Sequence, residues 1–115
     1  MNWEGRKVLV TGAGGFIGSH LVGMLAQRGA KVRGLVRYNS RGGFGWLHDL
    51  PPDVYRSLEV RQGDLRDADV MLRAVDGCEV VFQFFKGYIR CTEIAHSGKH
   101  LNEQACEMYK LRAVV

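Results

Sequence analysis

Three glycines in the stretch VLVTGAGGFIGSHL, residues 8–21, have the spacing of a phosphate-binding turn. Gly12, Gly15 and Gly18 stand three apart, after an apolar run and before a helical pattern. A sharp turn from a strand into a helix needs residues that tolerate positive φ, and a pyrophosphate needs backbone without side chains in its way. We expect Gly12 to make the turn, Gly15 to let the phosphates approach and Gly18 to let the helix pack on the sheet.

The surrounding sequence decides between a dinucleotide site and a glycine turn that binds nothing. The spacing is G-x-x-G-x-x-G rather than G-x-G-x-x-G. A strand pattern precedes the turn, a helix pattern follows it, and a second strand comes about 20 residues on, which is the context of a dinucleotide site. The start of such a helix presents N–H groups and partial positive charge to phosphates. We therefore predict that this turn binds a dinucleotide.

A basic residue follows the second predicted strand, where an acidic residue would bind the adenosine ribose of NAD. Arg37 stands at this position, and Ser40 and Arg41 follow it. A guanidinium group binds a 2′-phosphate through paired, charge-assisted hydrogen bonds. The alternative is a solvated loop arginine. The sequence thus favours NADP over NAD.

A carboxylate follows the third predicted strand, in the stretch QGDLRD, residues 62–67. Asp64 at the carboxyl end of a strand is placed to accept a hydrogen bond from the adenine amino group. The same side chain is equally suited to cap a turn. On chemistry alone the two roles stay open.

Alternating apolar and helical patterns predict the elements that position these residues. Strands are predicted at residues 7–10, 31–36, 58–62 and 79–85, and helices at 16–28 and 68–75, with a short helical turn at 46–50. Pro51 and Pro52 are expected to end that turn, and Asp67 to cap the second helix. The apolar face of the first helix is assigned to Ile17, Leu21, Met24 and Leu25. This βα alternation predicts an α/β fold, with about four parallel strands and helices on both faces.

The basic residues are concentrated around the glycine motif. The net charge is +4, and residues 1–50 carry seven basic and two acidic residues, whereas residues 51–115 carry nine and ten. A phosphate-bearing ligand suits this distribution. Because aromatic and basic residues do not alternate, a dinucleotide is favoured over a nucleic acid.

The cysteines and the apolar runs indicate the compartment. Cys78, Cys91 and Cys106 are odd in number and lack C-x-x-C spacing, which is typical of a reducing cytoplasm. No apolar run reaches the length of a membrane span or a signal peptide. His96 and His100 have a spacing compatible with zinc, but Gly98 lies between them, and we expect no metal site.

Several quoted stretches resemble the extended short-chain dehydrogenase/reductase family, which includes NAD-dependent epimerases and dehydratases. TGAGGFIGSHL, GDLRD and VVF carry this resemblance, and VRYNSRGGFGWLHDLP is similar to a loop of NAD(P)-dependent nucleotide-sugar 4,6-dehydratases. The resemblance spans residues 6–82 and implies a Rossmann-type cofactor domain. It implies pyrophosphate contacts at Gly12, Gly15, Phe16, Ile17 and Gly18. It also implies a ribose-side contact at Arg37 and adenine-side contacts at Asp64 and Leu65.

The chain departs from this family after the fourth predicted strand. The family usually has HLAA there, whereas this chain has Gln83, Phe84, Phe85 and Lys86. We expect the bulk of Phe85 and Lys86 to intrude where the nicotinamide ribose would lie. The family's Asn-containing helix and its strand with the catalytic Ser or Thr have no counterpart here.

The tail AHSGKHLNEQACEMYKLRAVV is similar to the family's Tyr-x-x-x-Lys segment and the helix after it. Lys99 then aligns with the catalytic lysine, but Ala95 stands where the tyrosine would be. An internal deletion and a frameshift both fit this pattern. We accordingly divide the chain into an NAD(P)-binding part, residues 1–85, and an irregular part, residues 86–115, with a candidate helix at 101–111.

The resemblance implies NAD(P)-dependent oxidation and dehydration of a nucleotide sugar. Because the tyrosine and the sugar-binding part are missing, we expect no such turnover by this chain alone. The alternatives are a non-catalytic dinucleotide-binding subunit, a subunit that completes its sheet on a partner or on a second copy, and a truncated product without function.

Overall fold

The computed structural model describes residues 2–37, 43–64, 66–85 and 88–93, with residues 85 and 88–93 described by their backbone alone. A single five-stranded sheet, order β3-β2-β1-β4-β5, organises these residues. The strands are β1 (Lys7–Thr11), β2 (Lys31–Val36), β3 (Glu59–Gln62), β4 (Val80–Phe85) and β5 (Tyr88–Glu93). The helices are α1 (Phe16–Gln27), α2 (Pro52–Ser57) and α3 (Ala68–Val75), with a 3₁₀ helix at Gly45–Asp49.

Four of the strands form the parallel Rossmann-type sheet that the sequence predicts. β1 lies between β2 and β4 and is parallel to both, and β2 is parallel to β3. The two faces carry separate apolar clusters, because residues alternate in direction along each strand. Val8 and Val10 of β1 pack with α1, whereas Leu9 between them packs with α3. Helices therefore cover both faces, and the predicted α/β fold is confirmed.

The buried face of α1 differs from the sequence prediction. Leu25 is buried as predicted and Leu21 is half-buried, but Ile17 and Met24 are 58% and 52% exposed, and Val22 is buried instead. The helix turns its small residues toward the sheet, and a Cβ on Gly18 would overlap the carbonyl oxygen of Gly12. Close approach along the glycines sets the rotation of this helix, and apolar spacing does not.

The two prolines follow the end of the helical turn as predicted, and Pro52 also begins a helix that the sequence analysis did not predict. Residues 45–49 form the expected helical turn, which ends before Pro51, and α2 then begins at Pro52. Proline is tolerated at the first helical position because its missing N–H has no intrahelical partner there. The third strand accordingly starts at Glu59, one residue later than predicted.

β5 is a strand that the sequence analysis did not predict. It runs antiparallel to β4, with Phe85 opposite Tyr88 and Val80 opposite Glu93. A stretch predicted to be irregular from residue 86 onward therefore contains regular structure at residues 88–93. The candidate helix at 101–111 lies outside the described residues.

Side chains stabilise both ends of α3. Asp67 Oδ1 accepts hydrogen bonds from the backbone N–H groups of Asp69 (3.0 Å) and Val70 (3.4 Å), which confirms the predicted cap. At the other end, Arg33 Nη1 on β2 donates to the carbonyl oxygens of Ala74 (2.8 Å) and Asp76 (2.7 Å). This arginine ties the end of α3 to the sheet.

Candidate dinucleotide site

The glycine turn has the geometry of an anion-binding helix start. Gly12 has a φ of +63°, so it makes the turn in the left-handed region as predicted. The Gly15 N–H donates to the Gly12 carbonyl oxygen at 3.1 Å, which closes the turn before α1. No side chain caps the helix, and its first turn holds no acidic residue. The first N–H groups of α1 therefore face the carboxyl edge of the sheet with no carboxylate of the helix itself to satisfy them.

Gly15 and Gly18 meet different surroundings within this turn. Gly18 is buried, and a side chain there would collide with the Gly12 carbonyl group. Gly15 is exposed with an ordinary φ of −76°, and an added Cβ would make only a 3.4 Å contact with the Gly12 oxygen. The protein's own packing requires Gly18 to lack a side chain, whereas only an approaching ligand would require the same of Gly15.

A second segment supports the turn, and the sequence analysis did not identify it. The Trp46 N–H donates to the Gly14 carbonyl oxygen at 2.9 Å. Gly45 has a φ of +63°, and a Cβ on it would overlap that same oxygen. The signal in the sequence is Gly45 within GGFGW, a glycine that a turn with positive φ requires. The 3₁₀ helix thus fixes the outer side of the glycine turn.

Phe16 and Ile17, predicted as pyrophosphate contacts, are both 58% exposed at the start of α1. The Phe16 ring meets the Trp46 ring edge-on, with centroids 5.3 Å apart. The backbone N–H groups of Phe16 and Ile17 lie in the first turn of α1, where an anion would be bound through the backbone.

Arg37 and Asp64 lie at the carboxyl ends of neighbouring strands. The Gly63 N–H donates to the Val36 carbonyl oxygen at 2.9 Å and holds these ends together. Hydrogen bonds from Arg66 hold the pKa of the Asp64 carboxyl well below its usual range, and the positive charge of Arg37 lowers that pKa further. The two predicted adenosine-side residues therefore share one corner of the sheet.

The Asp64 carboxylate also makes the turn contacts that the sequence left open. Its Oδ1 accepts from the backbone N–H of Arg66 at 2.9 Å, and its Oδ2 accepts from Arg66 Nη2 at 2.7 Å. The turn-capping role is thus present in the structure. An adenine contact by Asp64 stays a prediction, and the other predicted site residues Ser40, Leu65 and Lys99 lie outside the described residues.

The carboxyl end of β4 reaches the same site from the other side of β1. The Phe84 N–H donates to Thr11 Oγ1 at 3.2 Å, and Phe84 Cβ lies 3.5 Å from where a Cβ on Gly12 would stand. Gln83 is 5% exposed. The side chains of Phe85 and Lys86, predicted to intrude on the site, lie outside what the structure describes.

The described residues, 2–37, 43–64, 66–85 and 88–93, contain neither a candidate metal-binding cluster nor a candidate membrane-spanning helix. Within these ranges no group of three His, Cys, Asp or Glu side chains is placed to hold a metal ion. The same residues include no helix long and apolar enough to cross a membrane. His96 and His100 lie outside these ranges.

The chain belongs to the extended short-chain dehydrogenase/reductase family of NAD-dependent epimerases and dehydratases. Residues 9–82 match the family described as GDP-mannose 4,6 dehydratase. The match begins in β1 and ends in β4, so it contains the whole glycine turn together with β2 and β3. The resemblance found in the sequence is confirmed at the level of the family.

Relatives of several activities share this segment. The chain is 45% identical over 76 residues to a 3 beta-hydroxysteroid dehydrogenase/Delta 5-->4-isomerase of Mycobacterium tuberculosis, covering 66% of this chain and 18% of that protein. It is 39% identical over 79 residues to Cinnamoyl-CoA reductase 2 of Arabidopsis thaliana, covering 69% and 24%. The chain thus spans about a fifth to a quarter of the length of these relatives.

Solved structures give the same result for the fold. The epimerase Mth375 of Methanothermobacter thermautotrophicus matches with a TM-score of 0.59 and 33% identity, over 72% of this chain and 23% of that one. The Bordetella bronchiseptica enzyme WbmH, solved in complex with NAD+, matches with a TM-score of 0.57 and 27% identity, over 74% and 27%.

Proposed function

We propose that this chain is an NAD(P)-binding module of the nucleotide-sugar 4,6-dehydratase type, with a preference for NADP and without dehydratase turnover of its own. The observation that carries the proposal is the glycine turn at the start of α1. Its helix has no side-chain cap, and Gly15 leaves the approach to the backbone open. Open sheets of this kind bind nucleotides at the carboxyl ends of their strands.

The residues present fit a dinucleotide. The backbone of residues 12–18 would bind the pyrophosphate, Arg37 and Ser40 the ribose phosphate, and Asp64 and Leu65 the adenine. The cofactor, when bound, supplies the hydride-accepting ring for oxidation of a substrate. The family as a whole binds NAD(P), and the preference for NADP rests on Arg37, where an acidic residue would select NAD.

The substrate class that we propose is a nucleotide sugar. The relatives named above act, by their names, on steroids and on cinnamoyl-CoA, while the matching family is a sugar-nucleotide dehydratase. The resemblance of residues 36–51 to the dehydratase loop favours a nucleotide sugar. Ala95 replaces the expected tyrosine, so only Lys99 would remain of the pair that moves protons in the family.

A fluorescence titration of the purified chain with NADPH and NADH tests the cofactor proposal. We expect saturable binding that is tighter for NADPH, because a charged hydrogen bond contributes about 1.5–3 kcal/mol. Arg37→Ala should remove about tenfold or more of this preference. Arg28→Ala, an exposed arginine at the end of α1, should leave it unchanged. Absence of binding by both nucleotides would refute the proposal.

Incubation with NADP and UDP-N-acetylglucosamine tests the expected lack of turnover. Formation of a 4-keto sugar would show that the chain is a complete catalyst and would contradict that part of the proposal. The assay should also be run with NAD, so that a wrong cofactor preference is not mistaken for inactivity.

A non-catalytic subunit that completes its sheet on a partner or a second copy is the second candidate. This candidate is favoured because β5 is the edge strand of the sheet next to β4, and an edge strand offers unpaired backbone groups. Light scattering separates the two, because a self-contained module is monodisperse at the monomer mass. Under either proposal we place the protein in the cytoplasm, on the basis of its three cysteines, an odd number without C-x-x-C spacing.

A further inference from the structure

One buried polar side-chain atom in the described structure, Gln83 Nε2, has no hydrogen-bond partner. The buried polar residues are Thr11, Ser19 and Gln83. Thr11 Oγ1 accepts from the Phe84 N–H, and Ser19 Oγ donates to the Phe16 carbonyl oxygen. Gln83 Nε2 is enclosed without an acceptor. Because buried polar groups in folded proteins nearly always find a partner, this amide calls for an explanation.

The position of Gln83 in the sheet points to the carboxyl edge. The pairing of Val10 with Phe82 places Gln83 beside Thr11, the last residue of β1. Gly12 is the next residue in the chain after Thr11. α1 leaves β1 over one face toward β2, whereas α3 reaches β4 over the other face. The junction of β1 and β4 is therefore the switch point of this sheet, where α/β folds bind their ligands.

The proposed orientation of the dinucleotide brings its second half to this junction. Arg37 and Asp64 place the adenosine half over β2 and β3, and the glycine turn places the pyrophosphate over β1. The sheet order puts β4 on the side of β1 opposite β2. A dinucleotide laid along this edge must therefore extend its nicotinamide riboside over the end of β4.

We propose that Gln83 is a ligand-binding residue whose Nε2 donates a hydrogen bond to an oxygen acceptor on the nicotinamide riboside half of the dinucleotide. The inference rests on the proposed function, since it needs the dinucleotide in that orientation. It gives a binding role to a position where the chain departs from the family pattern HLAA. The amide is kept in a buried place because the ligand supplies its partner.

Titrations of Gln83→Met with NADPH and with 2′,5′-ADP test this role. Methionine keeps the length of the side chain and removes the donor. We expect the affinity for NADPH to fall about five- to tenfold and that for 2′,5′-ADP, which lacks the nicotinamide riboside, to stay the same. Because the variant removes an unpaired buried amide, the thermal midpoint of the ligand-free chain should rise. Gln27→Met, the same change at the exposed end of α1, should alter neither affinity nor midpoint.

A measurement on the wild-type chain avoids any dependence on folding of the variant. The side-chain amide resonance of Gln83 should shift with NADPH and stay in place with 2′,5′-ADP. If wild type binds NADPH but the resonance does not move, or Gln83→Met binds NADPH as tightly, Gln83 is not a ligand and only this inference fails. If wild type binds neither nucleotide, the proposed function fails as well.

Discussion

Gly15 and Gly18 belong to one turn, yet different neighbours require each of them. Gly18 faces the Gly12 carbonyl group, so Gly18→Ala should push α1 off the sheet, lower the thermal midpoint and abolish nucleotide binding. Gly15 is exposed with an ordinary φ, so Gly15→Ala should keep the midpoint within a few degrees. Its methyl group would still occupy the approach to the helix start and weaken NADPH binding about tenfold or more.

Thermal melts and NADPH titrations of both variants check this division. Gly5→Ala is not a suitable control, since Gly5 has a φ of +74° and would be strained by any side chain. Ala26→Gly, near the end of α1, serves instead as an exchange between the same two residue types away from the turn. Equal losses of stability in Gly15→Ala and Gly18→Ala would show that both glycines serve packing alone.

The spacing of residues in the sequence predicts roles that depend on local backbone geometry. It does not predict roles that depend on contacts between segments far apart in the sequence. The positive φ of Gly12 and the close approach at Gly18 follow from the motif itself. The exposure of Met24 does not, because the rotation of α1 is set by Gly18 and Gly23 against the rest of the fold. The support of Gly14 by Trp46 joins residues far apart in sequence, and no local pattern announces it.

At the scale of elements, the end of α3 depends on one arginine from β2. Arg33 has a side chain only 15% exposed, donates to two carbonyl oxygens at the helix end and pairs with Glu59 at 2.9 Å. Arg33→Met should lower the free energy of unfolding by about 1.5–3 kcal/mol, because the carbonyl groups lose charged hydrogen bonds. Urea unfolding measures this, with Arg28→Met at an exposed site as the control. Equal stability of the two variants would contradict this capping role.

The partner of that arginine makes stability depend on acid pH. A hydrogen bond from Arg33, supported by Arg61, lowers the pKa of Glu59 from its ordinary value of 4.5. A carboxyl group with a lowered pKa in the folded state stabilises fully above its unfolded pKa and loses that contribution as the pH falls. The thermal midpoint of wild type should therefore drop more steeply below pH 4.5 than that of Glu59→Gln. Identical slopes in the two proteins would rule out this contribution.

Periodicity predicted the existence of the main elements better than their connections. Apolar runs and caps predicted β1, β2, β3, β4, α1 and α3, whereas the order of the strands in the sheet comes from the structure alone. The prolines were correctly predicted to end the helical turn, but α2 was missed because proline is also compatible with the first position of a new helix. β5 escaped prediction because its pairing with β4 is a property of the hairpin and not of its own sequence.

At the scale of the whole molecule, two apolar clusters share one sheet. The cluster on the α1 face and the cluster on the α3 face use alternate residues of the same strands, so neither can be lost while the other keeps its support. A chain that covers about a fifth to a quarter of its relatives' length must obtain its stability from these two clusters and whatever lies outside the described residues. The arrangement predicts a single cooperative unfolding unit.

Truncation of one core side chain on each face tests this cooperativity. Leu25 of α1 and Met71 of α3 are 3% and 2% exposed, so Leu25→Ala and Met71→Ala should each cost about 2–5 kcal/mol. Met24→Ala, next to Leu25 but 52% exposed, should stay within about 0.5 kcal/mol of wild type. Trp3 packs on the α1 face, so tryptophan fluorescence reports that face while circular dichroism reports all helices. In every variant the two urea midpoints should coincide, because the shared strands couple the faces. If Met71→Ala shifted the dichroism midpoint and left the fluorescence midpoint unchanged, the faces would unfold separately, and the sheet would not be the common support.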